Sequence, residues 1–367
     1  MSRENVQSEA LDIVRKHNRC GLGISMGVGK TRIAIKHLQD NYDNDIKVLV
    51  VIPKLSVKKA WLEELDKMSL NHLEEHITFS TYLSIHKHNP MAYQLVYLDE
   101  CHSLLESHEA FLNAYSGKIL GLTGTPPVRR GTEKYRMVNK YCPIVYEFSV
   151  DEATDSKILN DYQIIVHELD LDTSKSLQKK RKDGGVWYTS EAKDYEYISR
   201  KLAEAVTMKQ KSFMGIMRMR ALMDYTTKEK YVKSVILPQL NSKCLVFANT
   251  QKQADRICKH SYHSGNRASE HNLELFNDGR IDKLSCIMQL SEGVTISNLK
   301  QGIIMHAYNN ERKTAQRIGR LLRLSPNEKA ICHILTYKNT VDASWVGNAL
   351  QSFDESKIKH YNPLEHG

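Results

Sequence analysis

Residues 95–102 read Leu-Val-Tyr-Leu-Asp-Glu-Cys-His, so that four apolar residues are followed at once by two carboxylates. An apolar run without polar alternation is typical of a strand that is buried on both faces of a parallel sheet. Two similar runs occupy residues 48–52 and 119–122, and the stretches between them, such as residues 31–40, have helical character. This alternation predicts a doubly wound α/β lobe, which we place at residues 1–150.

The same pattern returns near the end of the chain, in apolar runs at residues 245–247, 286–288, 302–305 and 331–335. These runs predict a second parallel sheet, in a lobe at residues 230–367. The predicted fold class is therefore α/β, with two doubly wound lobes and an insertion between them.

The insertion, at residues 151–229, has a different composition. Residues 174–183 are strongly basic, Gly184 and Gly185 follow, and a long helical pattern extends from about residue 191 to residue 221. Two interpretations remain open. The segment is either a solvated basic linker whose amphipathic helix packs on a lobe, or an insertion that touches nucleic acid.

Composition limits the class of protein. The 367 residues are 41% hydrophobic and 26% charged, which is ordinary for a globular protein of two or three domains. The chain has neither a run of about 18 apolar residues nor an apolar leader, so we expect no membrane span and an intracellular, cytoplasmic location. The seven scattered cysteines predict reduced thiols, and the net charge of +9 is compatible with a polyanionic partner.

A loop suited to phosphate lies at residues 26–31, which read Met-Gly-Val-Gly-Lys-Thr. Gly27 and Gly29 let the backbone curl so that its N–H groups face a phosphate, and Lys30 supplies positive charge. Thr31 offers a hydroxyl to Mg²⁺ at the start of a helix. The strict pattern has glycine where this chain has Ile24, so this loop alone is an incomplete match.

The acidic pair after the strand at residues 95–98 predicts a metal and water site. Side chains at the carboxyl end of a parallel strand face the ligand crevice. Asp99 can hold Mg²⁺, and Glu100 can orient and deprotonate an attacking water molecule. The alternative is an acidic turn that caps a helix.

A third segment, residues 316–323, reads Gln-Arg-Ile-Gly-Arg-Leu-Leu-Arg. On a helix, Gln316, Arg320 and Arg323 share one face. Planar guanidinium groups suit the charge that develops on a transferred phosphoryl group, and here they would come from the second lobe. The alternative is a solvated basic helix.

In their order along the chain, these segments resemble the motifs of the superfamily 2 helicases. Residues 26–31 resemble motif I, residues 99–102 resemble motif II in its DECH form, and residues 316–323 resemble motif VI. Weaker matches fill the gaps: residues 51–54 for motif Ia, 79–82 for Ib, 123–126 for III, 246–250 for IV and 291–296 for V. Within the superfamily, the motif spelling is similar to that of the Snf-type translocases and of phage branch-migration helicases of the UvsW type.

The resemblance implies RecA-like lobes that bind ATP and Mg²⁺ in a cleft. Gln7 would read the adenine, and the alternative is a plain residue of a helix surface. His102 would couple the ATP site to the second lobe. Gly293 of motif V would allow a close approach and joins the nucleotide-binding set, with Met26 and Val28 of the loop.

The resemblance also implies contacts with nucleic acid, and for the residues outside motif III an ordinary strand-end turn or cap is the alternative. The residues concerned are Pro53, Lys54, Ser80, Thr81, Thr123, Thr125, Asn249 and Thr250. Motif V often has Asp where this chain has Thr295, which leaves the contacts of that motif open.

The function indicated is that of an ATP-dependent helicase or translocase, monomeric and of phage type, that unwinds, branch-migrates or remodels nucleic acid. DNA is favoured over RNA because of the Snf-like spelling. An RNA helicase and a non-hydrolysing nucleic-acid-binding scaffold are the alternatives. The presence of Lys30, Glu100 and Arg320 argues against the scaffold.

Overall fold

The structure, a computed structural model, describes the chain except at residues 181–183, 288–295, 297, 308–313, 315–316, 319–320, 322–323, 326, 352 and 364–367. The chain divides into two compact units, the first built on Met1–Asp161 and the second beginning at Tyr162. Each unit has its own sheet with helices, which confirms the predicted fold class of two α/β lobes.

The first unit is built on six strands: β1 (Arg19–Ile24), β2 (Val48–Ile52), β3 (Ile77–Thr81), β4 (Leu95–Asp99), β5 (Lys118–Thr123) and β6 (Ile144–Phe148). They form one sheet in the order β3-β2-β4-β5-β1-β6, and every neighbouring pair is parallel. The three apolar runs predicted as strands are β2, β4 and β5. All five side chains of β2 and of β4 are buried, which is why neither strand shows polar alternation.

The helices of the first unit are α1 (Arg3–Val14), α2 (Lys30–Asp40), α3 (Lys58–Lys67), α4 (Glu109–Ala114), α5 (Glu133–Tyr141) and α6 (Val150–Asp155). Short 3-10 turns lie between them, at Leu55–Val57, Asn71–His76, Tyr82–Lys87, Pro90–Ala92, Cys101–Ser103 and Glu106–His108. Local sequence sets the starts of several helices. The hydroxyl of Thr132 accepts from the N–H of Tyr135, and Ser149 with Glu152 forms a capping box.

The second unit has a seven-stranded sheet and a hairpin. The strands are β7 (Asp161–Leu169), β8 (Leu177–Lys180), β9 (Val186–Thr189), β10 (Cys244–Phe247), β11 (Ser261–Tyr262), β12 (Lys283–Cys286), β13 (Gln301–Ile304), β14 (Lys329–Tyr337) and β15 (Ile358–Tyr361). The large sheet has the order β11-β12-β10-β13-β14-β7-β15, while β8 and β9 form the separate antiparallel hairpin. The run predicted at residues 286–288 begins at Cys286, where β12 ends, and its last residue, Met288, lies outside the described residues. Ser285 is a buried strand residue that looks polar in the sequence, and its hydroxyl donates to the carbonyl of Ala254 at 2.6 Å.

The helices of the second unit are α7 (Glu191–Glu204), α8 (Met208–Asp224), α9 (Thr227–Tyr231), α10 (Leu237–Gln239), α11 (Gln251–Ile257), α12 (Ser269–Asn277) and α13 (Val341–Leu350). A π-helical turn, Val232–Ile236, joins α9 to α10, and a 3-10 turn lies at Glu355–Lys357. None of the helices in the described parts of the chain is long and apolar enough to cross a membrane.

The long helical pattern predicted at residues 191–221 is two helices, α7 and α8. The break follows from a capping box, in which Thr207 accepts from the N–H of Gln210 and the Gln210 side chain returns to Thr207. Ile198 of α7 and Leu222 of α8 are buried in the core of the second unit. Both helices therefore pack on the second unit, and contact of the insertion with nucleic acid stays a prediction.

A buried ion pair lies inside the second unit. Lys228 of α9 is fully buried, and its Nζ donates to Oδ2 of Asp342 at 2.6 Å. The same ammonium donates to the carbonyl oxygens of Met305 and Leu335 at 3.1 and 3.0 Å. It thereby ties α9 to the ends of two strand segments and to the start of α13.

All seven cysteines lie in the described part of the chain, where all are buried and none forms a disulfide. Burial raises the pKa of the Cys20, Cys258 and Cys332 thiols to about 12.

Candidate functional site

The predicted phosphate loop connects the end of β1 to the start of α2. Gly27 and Gly29 have φ values of 89° and 109°, which side-chain-bearing residues rarely adopt, so the glycines permit the tight curl. The loop ends at the N-terminus of an 11-residue helix, where free N–H groups and the helix dipole favour an anion. Lys30 begins that helix, and its Nζ donates to the carbonyl of Ile24 at 3.0 Å, so the ammonium lies across the loop.

Gln7 packs against this loop. Only 3% of the residue is exposed, and its Nε2 donates to the carbonyl of Val28 at 2.7 Å. A Cβ atom at Gly29 would lie 2.4 Å from that nitrogen, so the close approach also requires a glycine there. Gln7 is therefore a buried support of the loop and not a residue of a helix surface; its contact with adenine stays a prediction.

Asp99, at the end of β4, is held by two buried aromatic side chains. The indole Nε1 of Trp61 donates to Oδ2 of Asp99 at 3.0 Å, and the hydroxyl of Tyr82 donates to the Asp99 carbonyl at 2.8 Å. Burial raises the pKa of the Asp99 carboxyl, although the Trp61 hydrogen bond and the charge of Lys30 oppose that shift. Sequence reasoning found Asp99 but missed Trp61, which lies 38 residues earlier in a helix.

Glu100 and His102 follow in a strained turn. Glu100 has a φ of 53°, in the left-handed region that favours glycine, and such strain is often found at functional sites. Nδ1 of His102 lies 3.3 Å from Oε2 of Glu100 and 2.7 Å from Oγ1 of Thr123. The Thr123 hydroxyl also accepts from the N–H of Thr125 at 3.1 Å. These contacts join the predicted motif II to the predicted motif III.

The phosphate loop, the acidic pair and Thr123 converge at one edge of the first sheet. β5 lies between β4 and β1, and the parallel pairing places the carboxyl ends of all three strands at the same edge. A Cβ atom at Gly124 would lie 3.3 Å from Nζ of Lys30, so the chain after β5 passes directly beside that lysine. This is the crevice position where parallel α/β sheets bind ligands.

The donor set suits Mg²⁺ bound together with phosphate. Mg²⁺ in such sites takes one or two carboxylates and completes its shell with water and phosphate oxygens. Asp99 offers the carboxylate and Thr31, in the first turn of α2, offers a hydroxyl. The described residues contain no cluster of three or more His, Cys, Asp or Glu side chains that could hold a metal by themselves.

The predicted backbone contacts lie at the carboxyl ends of strands in both units. After β2, Pro53 is half-buried and Lys54 is exposed, while Ser80 at the end of β3 is 4% exposed. In the second unit, the Thr250 hydroxyl caps α11 by accepting from the N–H of Gln253. Contacts of these residues, and of Thr81, Thr125 and Asn249, with nucleic acid remain predictions.

Motifs V and VI are described only in part. Gly293, Gln316, Arg320 and Arg323 lie outside the described residues, so their predicted roles remain predictions. Arg317, which sequence reasoning did not single out, is buried, and its Nη1 donates to the carbonyl of His306 at 2.9 Å.

Two family models match this chain. Residues 1–128 match the model described as type III restriction enzyme, res subunit, and residues 227–325 match the helicase conserved C-terminal domain. Together the two matches cover well over half of the chain. The fold and the site define an ATP-hydrolysing enzyme of the helicase type. The chain belongs to superfamily 2 of the helicases.

Similar proteins and structures agree with this class. The DNA 3'-5' translocase XPB2 of Sulfurisphaera tokodaii is 24% identical over 92% of this chain and 82% of its own length. A putative ATP-dependent RNA helicase of African swine fever virus, QP509L, is 31% identical, but over only 33% of this chain and 29% of its own.

Two solved structures share the fold. The Hef helicase domain of Pyrococcus furiosus has a TM-score of 0.54 at 15% identity, over 94% of this chain and 97% of that domain. The type ISP restriction-modification enzyme LlaBIII, solved bound to DNA, has a TM-score of 0.61 at 15% identity over 97% of this chain. The chain spans about a third of that enzyme's length, 31%.

Proposed function

We propose that this enzyme uses ATP hydrolysis to move along DNA and thereby unwinds, branch-migrates or remodels it. The observation that carries the proposal is the convergence of the phosphate loop, Asp99, Glu100 and Thr123 at one edge of the first sheet. A purely structural nucleic-acid scaffold would have no need for a strained glutamate beside a glycine-curled loop.

The proposed roles follow from the chemistry of each group. Lys30 and the loop N–H groups hold the phosphates, and Glu100 orients and deprotonates the attacking water. Asp99 and Thr31 hold Mg²⁺, which when bound offsets negative charge on the phosphates. Arg320, Arg323 and Gln316, which the sequence analysis assigns to the second lobe, stabilise charge on the transferred phosphoryl group.

We propose DNA rather than RNA as the nucleic acid along which the enzyme moves. Support comes from the relative named as a DNA 3'-5' translocase, which aligns with 92% of this chain, whereas the viral relative named as a putative RNA helicase aligns with 33%. The residues of motifs I and III support assignment to a Snf-type or UvsW-type subgroup of superfamily 2. The similarity to XPB2 supports assignment to an XPB-type subgroup.

The insertion contributes a second nucleic-acid contact. From residue 205 to Met223 it carries Lys209, Lys211, Arg218 and Arg220 and no acidic residue. Val206, Met208 and Phe213, which lie between α7 and α8 and in the first half of α8, are 85%, 81% and 61% exposed. Positive charge interleaved with exposed apolar side chains suits phosphates and unstacked bases.

ATPase assays with duplex DNA, single-stranded DNA and RNA as activators test which nucleic acid the enzyme uses. We expect DNA to raise turnover well above the basal rate, and RNA to raise it less. Stimulation by RNA alone would replace the proposal with an RNA helicase, and no stimulation by any of the three would favour a role with a protein partner. Strand-displacement and branch-migration assays on linear, forked and four-way substrates then separate unwinding from translocation.

The variants Lys30→Ala and Glu100→Gln test the chemistry. Each should lower kcat by about two orders of magnitude or more. Lys30→Ala removes the positive charge that binds the phosphates, and Glu100→Gln removes the base that deprotonates water. Both should still bind DNA in a filter-binding assay. Turnover near that of the wild type in either variant would remove the role assigned to that residue.

A further inference from the structure

Trp61 of α3 lies outside every motif yet contacts the centre of the candidate site. Its side chain is fully buried, and its indole Nε1 donates to Oδ2 of Asp99 at 3.0 Å. The ring is fixed between neighbours, with its centroid 6.0 Å from that of Tyr97 and 6.4 Å from that of Phe79. This packing holds the Trp61 indole in the orientation in which its N–H points at the Asp99 carboxylate.

The chemistry of the donor matters. A tryptophan N–H donates one hydrogen bond and cannot ionise. A lysine or arginine at this position would also orient Asp99, but its positive charge would compete with a metal ion for the carboxylate. The indole orients the group and leaves its negative charge available. Tyr82 fixes the main chain of the same residue through the Asp99 carbonyl, so Asp99 is held at two points by uncharged donors.

We propose that Trp61 is a positioning residue for the metal site: it holds the Asp99 carboxylate in the orientation that binds Mg²⁺ next to the nucleotide phosphates. This inference rests on the proposed role of Asp99 as the metal ligand. Partners that orient a metal ligand through a hydrogen bond typically affect metal affinity much more than they affect the binding of the rest of the substrate.

The test is the variant Trp61→Phe, which keeps an aromatic ring but loses the N–H. Mn²⁺ binding to the full-length, ADP-saturated protein is measured by electron paramagnetic resonance, and ADP binding is measured separately in EDTA. We expect the Kd for Mn²⁺ to rise about tenfold. ADP binding in EDTA should be unchanged. Trp345→Phe, a half-buried tryptophan of α13 in the second unit, is the matched control and should change neither value.

Equal Mn²⁺ affinity in the wild type and in Trp61→Phe would overturn the inference, as would an equal loss of ADP binding with and without metal, which is what a packing role predicts. If wild-type protein with ADP binds no Mn²⁺, the proposed function fails first, and the inference fails with it.

A second measurement does not depend on the folding of Trp61→Phe. In the double variant Trp187→Phe, Trp345→Phe, Trp61 is the one remaining tryptophan of the three in the chain. Adding Mn²⁺ to its ADP complex should quench the Trp61 emission, because the paramagnetic ion binds at the carboxylate that the indole contacts. Emission that stays unchanged while Mn²⁺ binds would place the metal elsewhere and overturn the inference.

Discussion

Thr123 is fully buried, and its hydroxyl joins two parts of the site. It contacts Nδ1 of His102 at 2.7 Å and accepts from the N–H of Thr125 at 3.1 Å. Because His102 also lies beside Glu100, a movement of the chain after β5 can be transmitted to the glutamate that we propose as the general base. This hydrogen bond is a physical route by which hydrolysis and movement of the nucleic acid could be coupled.

We therefore predict that Thr123→Val, which keeps the shape and loses the hydroxyl, uncouples the motor. A hydrogen bond of this kind contributes about 1 kcal/mol, so strand displacement should slow by roughly fivefold. Basal ATP hydrolysis without nucleic acid should change little. The two rates are measured side by side, with Thr336→Val, a buried threonine of β14, as the control. If both rates fell in proportion, Thr123 would serve stability alone.

Among the elements, α9 depends on a charge that it buries. Lys228 and Asp342 compensate each other inside the second unit. Removing one partner leaves the other charged and desolvated, so Lys228→Met should lower the free energy of unfolding by about 3–5 kcal/mol. The double variant Lys228→Met, Asp342→Asn should recover part of that loss.

Urea unfolding followed by circular dichroism measures these differences. Lys230→Met, an exposed lysine on the same helix, is the control and should stay within about 0.5 kcal/mol of the wild type. A Lys228→Met protein as stable as that control would mean that the pair is not buried in solution.

The α8 helix makes a different prediction, which concerns salt. If Lys209 and Lys211 each neutralise one phosphate of duplex DNA, their replacement by alanine should reduce the slope of log K against log salt by about 0.9 per residue. Fluorescence anisotropy with labelled duplex at several salt concentrations gives the slope. Lys16→Ala, an exposed change in the first unit, should leave the slope unaltered. An unchanged slope in the lysine variants would mean that this part of the insertion is a solvated surface that does not contact DNA.

For the molecule as a whole, acid sensitivity follows from a buried histidine pair. Nε2 of His167 lies 2.9 Å from Nδ1 of His333, and Tyr231 and Gln301 complete the chain of hydrogen bonds. Burial lowers the pKa of His167 to about 3, with the charge of its partner adding to the shift, and burial lowers the pKa of His333 to about 4. Both rings are neutral in the folded protein at neutral pH.

The sign of the pH effect follows from proton binding. Below the ordinary histidine pKa of 6.5, these histidines bind protons in the unfolded chain but stay neutral in the folded protein. The free energy of unfolding is therefore highest above pH 6.5 and declines as the pH falls towards 3–4. At pH 5 the loss should be about 2 kcal/mol for each histidine. His333→Gln should therefore lose less stability than the wild type between pH 7 and pH 5, as measured by urea unfolding. Identical losses would show that other groups carry the acid response.

Much of this architecture could be predicted from the sequence, for a definite reason. Strands β2, β4 and β5 are buried on both faces, so their apolar runs and the polar residues that follow are visible without a structure. The phosphate loop and Asp99 are equally local. Contacts between distant segments were not visible. Trp61 looks like any apolar residue of a helix, and Lys228 lies in a polar stretch that indicates an exposed helix end.

Strand β7 was missed for the same reason. It comes directly after the first unit in sequence, but in the second sheet it lies between β14 and β15, about 170 and 190 residues further along the chain. No periodicity in residues 161–169 indicates such neighbours. The position of a strand within a sheet depends on long-range pairing, which local patterns do not encode.

The burial of every thiol has a practical consequence for watching this motor at work. Because no native cysteine is accessible in the folded chain, maleimide dyes should ignore the wild-type protein and react only with cysteines introduced on its surface. A donor and an acceptor fluorophore can then be attached, one to each unit, without first replacing the seven buried native cysteines. Single-molecule energy transfer on such a protein would report whether the distance between the two dyes changes during turnover.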